Sequence, residues 1–301
     1  MIRVRNILCP VDFFPASEGA ATYAAEIALA SDASLKLVHV ISPIISTYKF
    51  PLNPADVVKR AKEKSEAKLK TIQERMKRAG VVVTTEIRVG NAPNEIKQAI
   101  EADKPDLVVM GTHGRRGIER WFLGSVTESM LRHSPVPMLT ISPQGRNANR
   151  RIRRIAVTTD FSDGTADAMA YAFSIAGENQ ARVDLLHVVD DVGLDVSKRY
   201  GDPFLKNIKA KMESLIPPES RDWCEVGTTI EPGIPYRVIL KFLQRTKPDL
   251  LVMNIHGKNL FDRALLGTTA NRVIRAANCP VMLIPPMNKR APARGRKKRA
   301  A

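Results

Sequence analysis

The feature that most restricts the fold of this chain is an apolar segment followed by a glycine-rich loop, and it occurs twice. The apolar segments read KPDLVVM at residues 104–110 and KPDLLVM at residues 247–253. Each loop then has two glycines separated by nine residues and followed by a hydroxyl residue: Gly114, Gly124 and Ser125, and again Gly257, Gly267 and Thr268. A short, β-branched apolar run is typical of a buried strand in a parallel sheet. The pattern therefore predicts two strand–loop–helix units.

A glycine-rich connection between a strand and a helix favours binding of a phosphate, because bare N–H groups and the positive end of the helix dipole converge there. Ser125 is predicted to be the N-cap of the first such helix, with Glu128 completing a capping box. The expected phosphate donors are the N–H groups of Gly114, Gly124, Ser125 and Val126 and the hydroxyls of Ser125 and Thr127. A single such loop would be explained equally well as a flexible surface loop, whereas its duplication favours a ligand site.

The duplication extends beyond the loops. Ile155–Asp160 repeats Ile7–Asp12, and Val183–Val189 repeats Leu35–Ile41, both 148 positions later. From the fourth strand onward the offset is 143, so the second copy has lost residues between its second and fourth strands. Insertions and deletions of this kind belong in connections between elements.

Strand and helix patterns alternate within each copy, which predicts an α/β fold with a doubly wound parallel sheet. We predict two tandem domains of five strands each, residues 1–145 and 151–288, followed by a basic tail over residues 289–301. The last strand of each copy is apolar and leaves a hydrogen-bonding edge. These two strands, Val136–Ile141 and Val281–Ile284, are expected to pair as an intramolecular pseudo-dimer, and a larger homo-oligomer can be built on it.

Ligands of open parallel sheets bind beyond the carboxyl ends of the strands, where the strand order reverses. By this rule, we expect the residues at or just past the predicted strand ends to lie at the ligand site: Pro10, Asp12, Val40, Met110 and Gly111. A carboxylate there can accept hydrogen bonds from a sugar or a base amine, while Val40 and Met110 can contact a flat base. Together with a phosphate site, these residues imply a nucleotide.

Several other kinds of site lack their sequence signatures. The chain contains no G-x4-G-K-(S/T) motif and no G-x-G-x-x-G after its first strand, which argues against a P-loop enzyme and a dinucleotide site. His39 and His187 lie inside apolar runs and are predicted to be core or strand residues. The three cysteines have no metal-ligand or disulfide spacing, so we expect no metal site and a reducing compartment.

The formal net charge is +16, and the segment Lys289–Arg299 carries seven of the positive charges with no acid. Such a tail can dock on nucleic acid or an anionic surface. It lacks interleaved aromatic residues, and a solvated terminus without a dedicated partner is the favoured interpretation. The chain has neither a long apolar run nor the order of a signal peptide, so we expect a cytoplasmic protein that does not enter a membrane.

The chain resembles the universal stress proteins in their tandem, two-domain form. The resemblance is carried by Val11–Asp12, by LVHV at Leu37–Val40 and by GTHGRRGIERWFLGS at Gly111–Ser125. It implies the adenine nucleotide alpha-hydrolase-like fold, dimerisation through the last strand, and ATP in members that keep the glycine pattern.

Carried over to this chain, the resemblance implies that Asp12 and Val40 contact the adenosine and that Met110 and Gly111 lie beneath the ribose. It also implies that the glycine-rich loop, with His113, contacts the phosphates. The matching residues in the second copy are Asp160, Val188, Met253, His256, Gly257, Gly267 and Thr268. Asn254 replaces the first glycine, and its side chain adds bulk where a ligand should approach the backbone. We therefore expect the first domain to bind ATP and the second to bind it weakly or not at all.

Two classes of function follow from a nucleotide site of this kind. We expect an ATP-binding regulator of the stress response, holding ATP alone or with Mg²⁺. The alternative is a slow ATP hydrolase or an adenylate-forming enzyme on the same scaffold. Catalysis would need a base to direct water and a metal to neutralise charge, and Asp12 is the one carboxylate that can be nominated.

Overall fold

The computed structural model describes residues 2–42, 54–112, 123–142, 151–190, 196–255 and 267–285. Some of the residues predicted from the sequence therefore lie outside the described part of the chain: His113, Gly114, His256, Gly257 and the basic tail.

The first half of the chain alternates strands and helices, as the apolar pattern predicts. Its elements are β1 (Asn6–Pro10), α1 (Pro15–Ser31), β2 (Ser34–Ile41), α2 (Pro54–Arg78), β3 (Val83–Val89), α3 (Ala92–Asp103), β4 (Leu107–Gly111), α4 (Ser125–His133) and β5 (Met138–Ile141).

The second half repeats this order. Its elements are β6 (Arg154–Thr159), α5 (Thr165–Asn179), β7 (Arg182–Val189), α6 (Val196–Ser214), β8 (Val226–Pro232), α7 (Pro235–Thr246), β9 (Leu250–Asn254), α8 (Thr268–Ala276) and β10 (Val281–Ile284), with a 3-10 turn at Pro218–Asp222.

The strands form one sheet in the order β3-β2-β1-β4-β5-β10-β9-β6-β7-β8. Pairing is parallel within each half, and the strand order reverses between β1 and β4 and again between β6 and β9. The halves join where β5 and β10 pair in antiparallel fashion, with Val281 opposite Thr140 and Leu283 opposite Met138. This confirms the predicted pairing of the two last strands.

Helices cover both faces of the sheet, so the fold is doubly wound as predicted. One core contains residues of α1, α2, α5 and α6, and the other contains residues of α3, α4, α7 and α8. Ile7 and Cys9 of β1 belong to the first core and Leu8 to the second. This alternation is the period of two expected for a strand buried on both faces.

In each half, the aspartate of the repeated KPD sequence links the start of the first strand to the start of the fourth strand through hydrogen bonds. Asp106, just before β4, accepts hydrogen bonds through Oδ2 from the N–H groups of Arg5 and Asn6, at 2.8 and 3.0 Å. Asp249 does the same for Arg153 and Arg154. The two strands that flank each reversal point are thus held in register.

The capping box predicted for α4 is wrong. Gly124 is the N-cap, Ser125 is the first helical residue, and no side chain of a described residue caps the helix. Glu128 instead forms ion pairs with Arg132, at 2.6 Å, and with Arg275 of α8, at 3.7 Å. The neighbouring helix of the other half offers Glu128 a cation that the local sequence does not reveal.

Candidate functional site

The carboxylate of Asp12 is held at the end of β1 by the first turn of α1. The Ser17 hydroxyl donates to its Oδ1 at 2.6 Å, and the N–H of Phe14 donates to the same oxygen at 3.1 Å. The N–H of Asp12 in turn donates to Ser17 Oγ at 3.1 Å. Oδ2 has no hydrogen-bond donor among the residues the structure describes, so this oxygen can accept from a ligand.

The turn between β1 and α1 contains an aromatic contact. Phe13 has a left-handed backbone (φ 63°), which costs a residue with a side chain about 1–2 kcal/mol. Its ring lies 4.3 Å from that of His39, whose Nδ1 donates to the carbonyl of Val11 at 2.8 Å. The second half repeats the arrangement with Phe161, His187 and Thr159. Both histidines are therefore strand residues with structural contacts, as predicted.

The two ends of the glycine-rich loop are joined at its base. The N–H of Gly124 donates to the carbonyl of Thr112 at 2.9 Å, and the N–H of Thr112 donates to Ile141 of β5 at 3.1 Å. The N–H of Gly267 makes the corresponding bond to Ile255 at 3.3 Å. The start of the following helix is thereby fixed beside the carboxyl end of the fourth strand in each half.

The first turn of α4 presents backbone donors at this edge. The N–H groups of Ser125, Val126 and Thr127 make no hydrogen bond to any described residue, as expected for the first turn of a helix. Two other donors predicted for phosphate have partners within the protein. One is the N–H of Gly124, and the other is the Thr127 hydroxyl, which donates to the carbonyl of Gly111 at 2.9 Å.

Gly111 is required by the packing of β4 against α1. A Cβ atom at this position would lie 2.7 Å from the carbonyl oxygen of Ala16 and 2.8 Å from its carbon. The main chain of α1 thus passes too close to β4 for any side chain. The sequence suggests that Gly111 lets a ligand approach the backbone, but the packing of α1 requires a glycine here for a separate, structural reason.

Asn254, which replaces Gly111 in the second half, is accommodated by a different helix start. α5 begins at Thr165, two positions later in the repeat than α1 does. The Asn254 amide fills this space. With its oxygen and nitrogen assigned so that both have partners, Nδ2 donates to the carbonyl of Gly164 at 2.8 Å, and Oδ1 accepts from the N–H of Thr165 at 3.1 Å. Its side chain therefore stabilises the first turn of α5.

The apolar residues predicted near the base lie at the same edge. Pro10 and Met110 are buried, and Val40 is half-buried against the core that contains Met110. Met253 and Val188 take the same places in the second half. Of these residues, Val40 and Val188 keep exposed surface for a ligand.

The second half keeps part of the polar arrangement. Asp160 accepts from the N–H of Ser162 at 3.0 Å, and Thr268 begins α8 after the N-cap Gly267. Position 270 is a buried alanine where the first half has Thr127, so the hydroxyl that joins α4 to the end of β4 has no counterpart.

The sequence motifs do not point to Ser17, whose hydroxyl fixes the Asp12 carboxylate. The repeat contains a signal for it, because Thr165 lies 148 positions later and is also a hydroxyl residue. Thr165 Oγ1 lies 3.1 Å from Oγ1 of Thr159. A hydroxyl retained at the start of both helices marks a side chain that bonds the preceding turn.

The cysteines are buried and free, as predicted from their spacing. Burial raises the pKa of the Cys9 thiol and raises that of Cys279 to about 12, so both are neutral thiols at ordinary pH. Among the residues described, no group of three or more His, Cys, Asp or Glu is arranged to hold a metal ion. Across the same residues, no helix has the length and apolar character needed to span a membrane.

The sequence profile of the universal stress protein family matches residues 3–142 and 151–285 of this chain. The chain belongs to the universal stress protein family. Each match covers one half, so this universal stress protein has the tandem form.

Known relatives agree with this assignment. A universal stress protein of Mycolicibacterium smegmatis is 26% identical over 293 residues, covering 93% of this chain and 97% of its own length. One from Methanocaldococcus jannaschii is 33% identical over 153 residues, covering 46% of this chain and 85% of its own. The former supports the two-domain arrangement over nearly the whole chain, whereas the latter corresponds to about one half.

The fold is also found in a solved universal stress protein structure. The crystal structure of a universal stress protein from Archaeoglobus fulgidus superposes with a TM-score of 0.73 at 21% identity. The match covers 95% of this chain and all of that one. At this identity the likeness concerns the fold alone.

Proposed function

We propose that this universal stress protein binds ATP in its first half and acts as a nucleotide-dependent regulator. The observation that carries the proposal is that the N–H groups of Ser125, Val126 and Thr127 make no hydrogen bond to any described residue. They begin a helix that starts beside the reversal point between β1 and β4. Backbone N–H groups at a helix N-terminus favour phosphate, and the reversal point is where open α/β sheets bind ligands.

The remaining residues suit the other parts of the nucleotide. Oδ2 of Asp12 can accept a hydrogen bond from a ribose hydroxyl or the adenine amine, while Ser17 holds Oδ1. Val40 offers apolar surface to the base, with Pro10 and Met110 buried beside it.

The Ser125 hydroxyl, which is exposed, adds a donor to the three N–H groups for the phosphates. We include Gly114 and His113 in the phosphate-binding loop on the sequence pattern alone.

We propose weaker binding in the second half, for a reason other than the bulk of Asn254. The Asn254 side chain is used by the first turn of α5. What the second half lacks is the Thr127 hydroxyl, which joins α4 to β4 in the first half. With Ala270 in its place, the donors at the start of α8 are held less firmly, so ordering them around a phosphate costs more.

The proposed role is regulation by bound ATP, with residues 1–145 and 151–288 as the two domains. ATP hydrolysis needs a group that directs water at the γ-phosphate, and the carboxylate nominated for it, Asp12, is engaged by two donors through Oδ1. In this proposal ATP acts as a ligand that shifts the population of conformations. Further homo-oligomerisation of the pseudo-dimer belongs to the same proposal.

Native mass spectrometry of the full chain tests this proposal, because it reports the ligand, its stoichiometry and the subunit count together. We expect one ATP per chain at low micromolar nucleotide, and a marked loss of binding in Asp12→Ala. Two equally occupied sites would refute the asymmetry, and no bound nucleotide at any concentration would refute the function. Phosphate release by the unaltered chain at saturating ATP, followed with and without Mg²⁺, separates the regulator from the enzyme, because multiple turnovers would establish a hydrolase.

A further inference from the structure

The helices that cover one face of the second half, α7 and α8, form a strongly basic surface. α7 contains Arg237, Lys241 and Arg245, α8 contains Arg272 and Arg275, and neither helix contains an acidic residue. Two of these cations have carboxylate partners: Arg245 lies 2.5 Å from Glu231, and Arg275 lies 3.7 Å from Glu128. Arg237, Lys241 and Arg272 are exposed and make no ion pair with any described residue.

Two of these three exposed cations contact the same aromatic ring. The guanidinium of Arg272 lies 4.5 Å from the ring centroid of Tyr236, a cation–π distance, and that of Arg237 lies 5.8 Å away. Nε of Arg237 also donates to the Tyr236 hydroxyl at 3.0 Å. The hydrogen bond from Arg237 and the charge of both arginines lower the pKa of Tyr236. The ring thus keeps two like charges close together across the α7–α8 boundary.

The fold itself does not require these cations. In the first half, 143 positions earlier, the same places on α3 and α4 are occupied by uncharged residues: Pro93 for Tyr236, Asn94 for Arg237, Gln98 for Lys241 and Ser129 for Arg272. α3 and α4 also contain several acids. The basic character is therefore specific to the second half, although both helix pairs pack on the same core.

We propose that the α7–α8 surface, defined by Arg237, Lys241 and Arg272, binds the phosphodiester backbone of nucleic acid. Arg237 and Lys241 are one helical turn apart, about 6 Å along α7, so they can contact successive phosphates of one strand. Arg272 presents a guanidinium plane on which a base can stack. None of these three residues belongs to the basic tail or to the proposed ATP site of the first half.

Other polyanionic or protein partners fit this surface less well. A second copy of the chain would bring another +16 charge to it. A lipid surface normally takes up apolar side chains along with basic ones. Among the described residues, the exposed large hydrophobic side chains are Leu29, Val82, Val89 and Trp223, and none of them belongs to α7 or α8.

The test compares two triple variants of the full chain by fluorescence anisotropy with a labelled 20-nucleotide DNA strand of mixed sequence. One variant is R237Q/K241Q/R272Q. The matched control is K62Q/K64Q/K77Q on α2, which removes the same charge from exposed positions in the opposite helical layer. The tail is present in both, so its contribution cancels in the comparison.

We expect the α7–α8 variant to bind roughly tenfold more weakly near 0.1 M salt. Its log–log salt slope should become shallower by about 1.4, since each of the two lost phosphate contacts to a single strand contributes about 0.7. The control should stay within about twofold of the unaltered chain. Equal weakening in both variants, or none in the first, would overturn the proposal. Binding to phosphatidylcholine–phosphatidylglycerol vesicles would also overturn the proposal if it depended on the same three residues and DNA binding did not. Thermal melting checks that both variants are folded.

Discussion

Replacing Gly111 with alanine should destabilise the protein even when no nucleotide is present. The added Cβ would lie 2.7 Å from the carbonyl oxygen and 2.8 Å from the carbonyl carbon of Ala16. Both are main-chain atoms of α1, so the contact cannot be relieved by rotating a side chain. Either α1 or the end of β4 must move, in a region where the neighbouring side chains are buried.

The expected cost follows from overpacking. Forcing extra atoms into a packed interior typically costs about 1–3 kcal/mol, and a value near 2 kcal/mol corresponds to a drop of about 4–8 °C in Tm for a domain of this size. The matched control is Gly177→Ala in α5, where the nearest atom to the added Cβ is Cζ3 of Trp223 at 3.5 Å, an ordinary contact. Within a helix, alanine is favoured over glycine by up to ~1 kcal/mol, so this control should melt at the same temperature or higher.

Differential scanning calorimetry of both variants without nucleotide gives the comparison directly. A Gly111→Ala protein with unchanged Tm would refute the close approach of α1 to β4. The role assigned from the sequence alone, in which Gly111 leaves space for a ligand, would then be the better explanation of this glycine. A loss of ATP binding with unchanged Tm would favour that role further.

Three further predictions concern the site and the core. Ser17→Ala should weaken ATP binding about tenfold, because the charged carboxylate of Asp12 loses the hydrogen bond from Ser17, and a hydrogen bond to a charged group is worth ~1.5–3 kcal/mol. The effect on Tm should be smaller than the effect on affinity, which isothermal titration calorimetry measures. Thr127→Val should lower the affinity of the first site several-fold, towards that of the second, because α4 loses its bond to Gly111; native mass spectrometry of site occupancy measures it. Burial raises the pKa of Cys279 from 9.0 to about 12, so its contribution to stability is complete below pH 9.0 and is lost as the pH rises towards 12. Unfolding in urea should therefore become easier across that window by up to ~1.4 kcal/mol per pH unit, and less so in Cys279→Ala.

Each of these predictions has an outcome that contradicts it. Unchanged affinity in Ser17→Ala would mean that Asp12 is oriented without its hydroxyl partner. If Thr127→Val weakened ATP binding equally in both halves, the Thr127 hydroxyl would not be the cause of the difference in affinity between them. Identical pH profiles for the Cys279→Ala and unaltered proteins would show that this thiol is not the group that titrates.

The duplicated pattern was sufficient to predict the architecture. Runs such as KPDLVVM have the length and composition of strands buried on both faces, and alternation with helical segments predicts parallel pairing. The apolar last strands also predicted their own pairing, because an unpaired apolar edge exposes backbone groups that need partners. These are local or edge properties, which a sequence carries without knowledge of distant contacts.

The details of the site depend on contacts between segments far apart in the chain. The bond from Thr127 to Gly111 and the close approach of Ala16 to Gly111 arise when α4 and α1 pack against β4. The capping box was wrong because α4 begins one residue earlier than predicted, with Gly124 as its N-cap, and Glu128 pairs with Arg132 and also with Arg275 of the other half. Local spacing carries no information about such partners.

By itself, the sequence determined that this protein is two copies of one strand-and-helix unit with a glycine-rich loop after the fourth strand, because periodicity and repetition are properties of the chain. Only the tertiary structure decided which backbone groups near that loop make no hydrogen bond within the part of the chain that the structure describes. It also explains why Gly111 of one half can be replaced by Asn254 in the other. The physical reason is that a hydrogen-bonding group is available to a ligand only if packing has left it without a partner, and packing is settled by all the elements together.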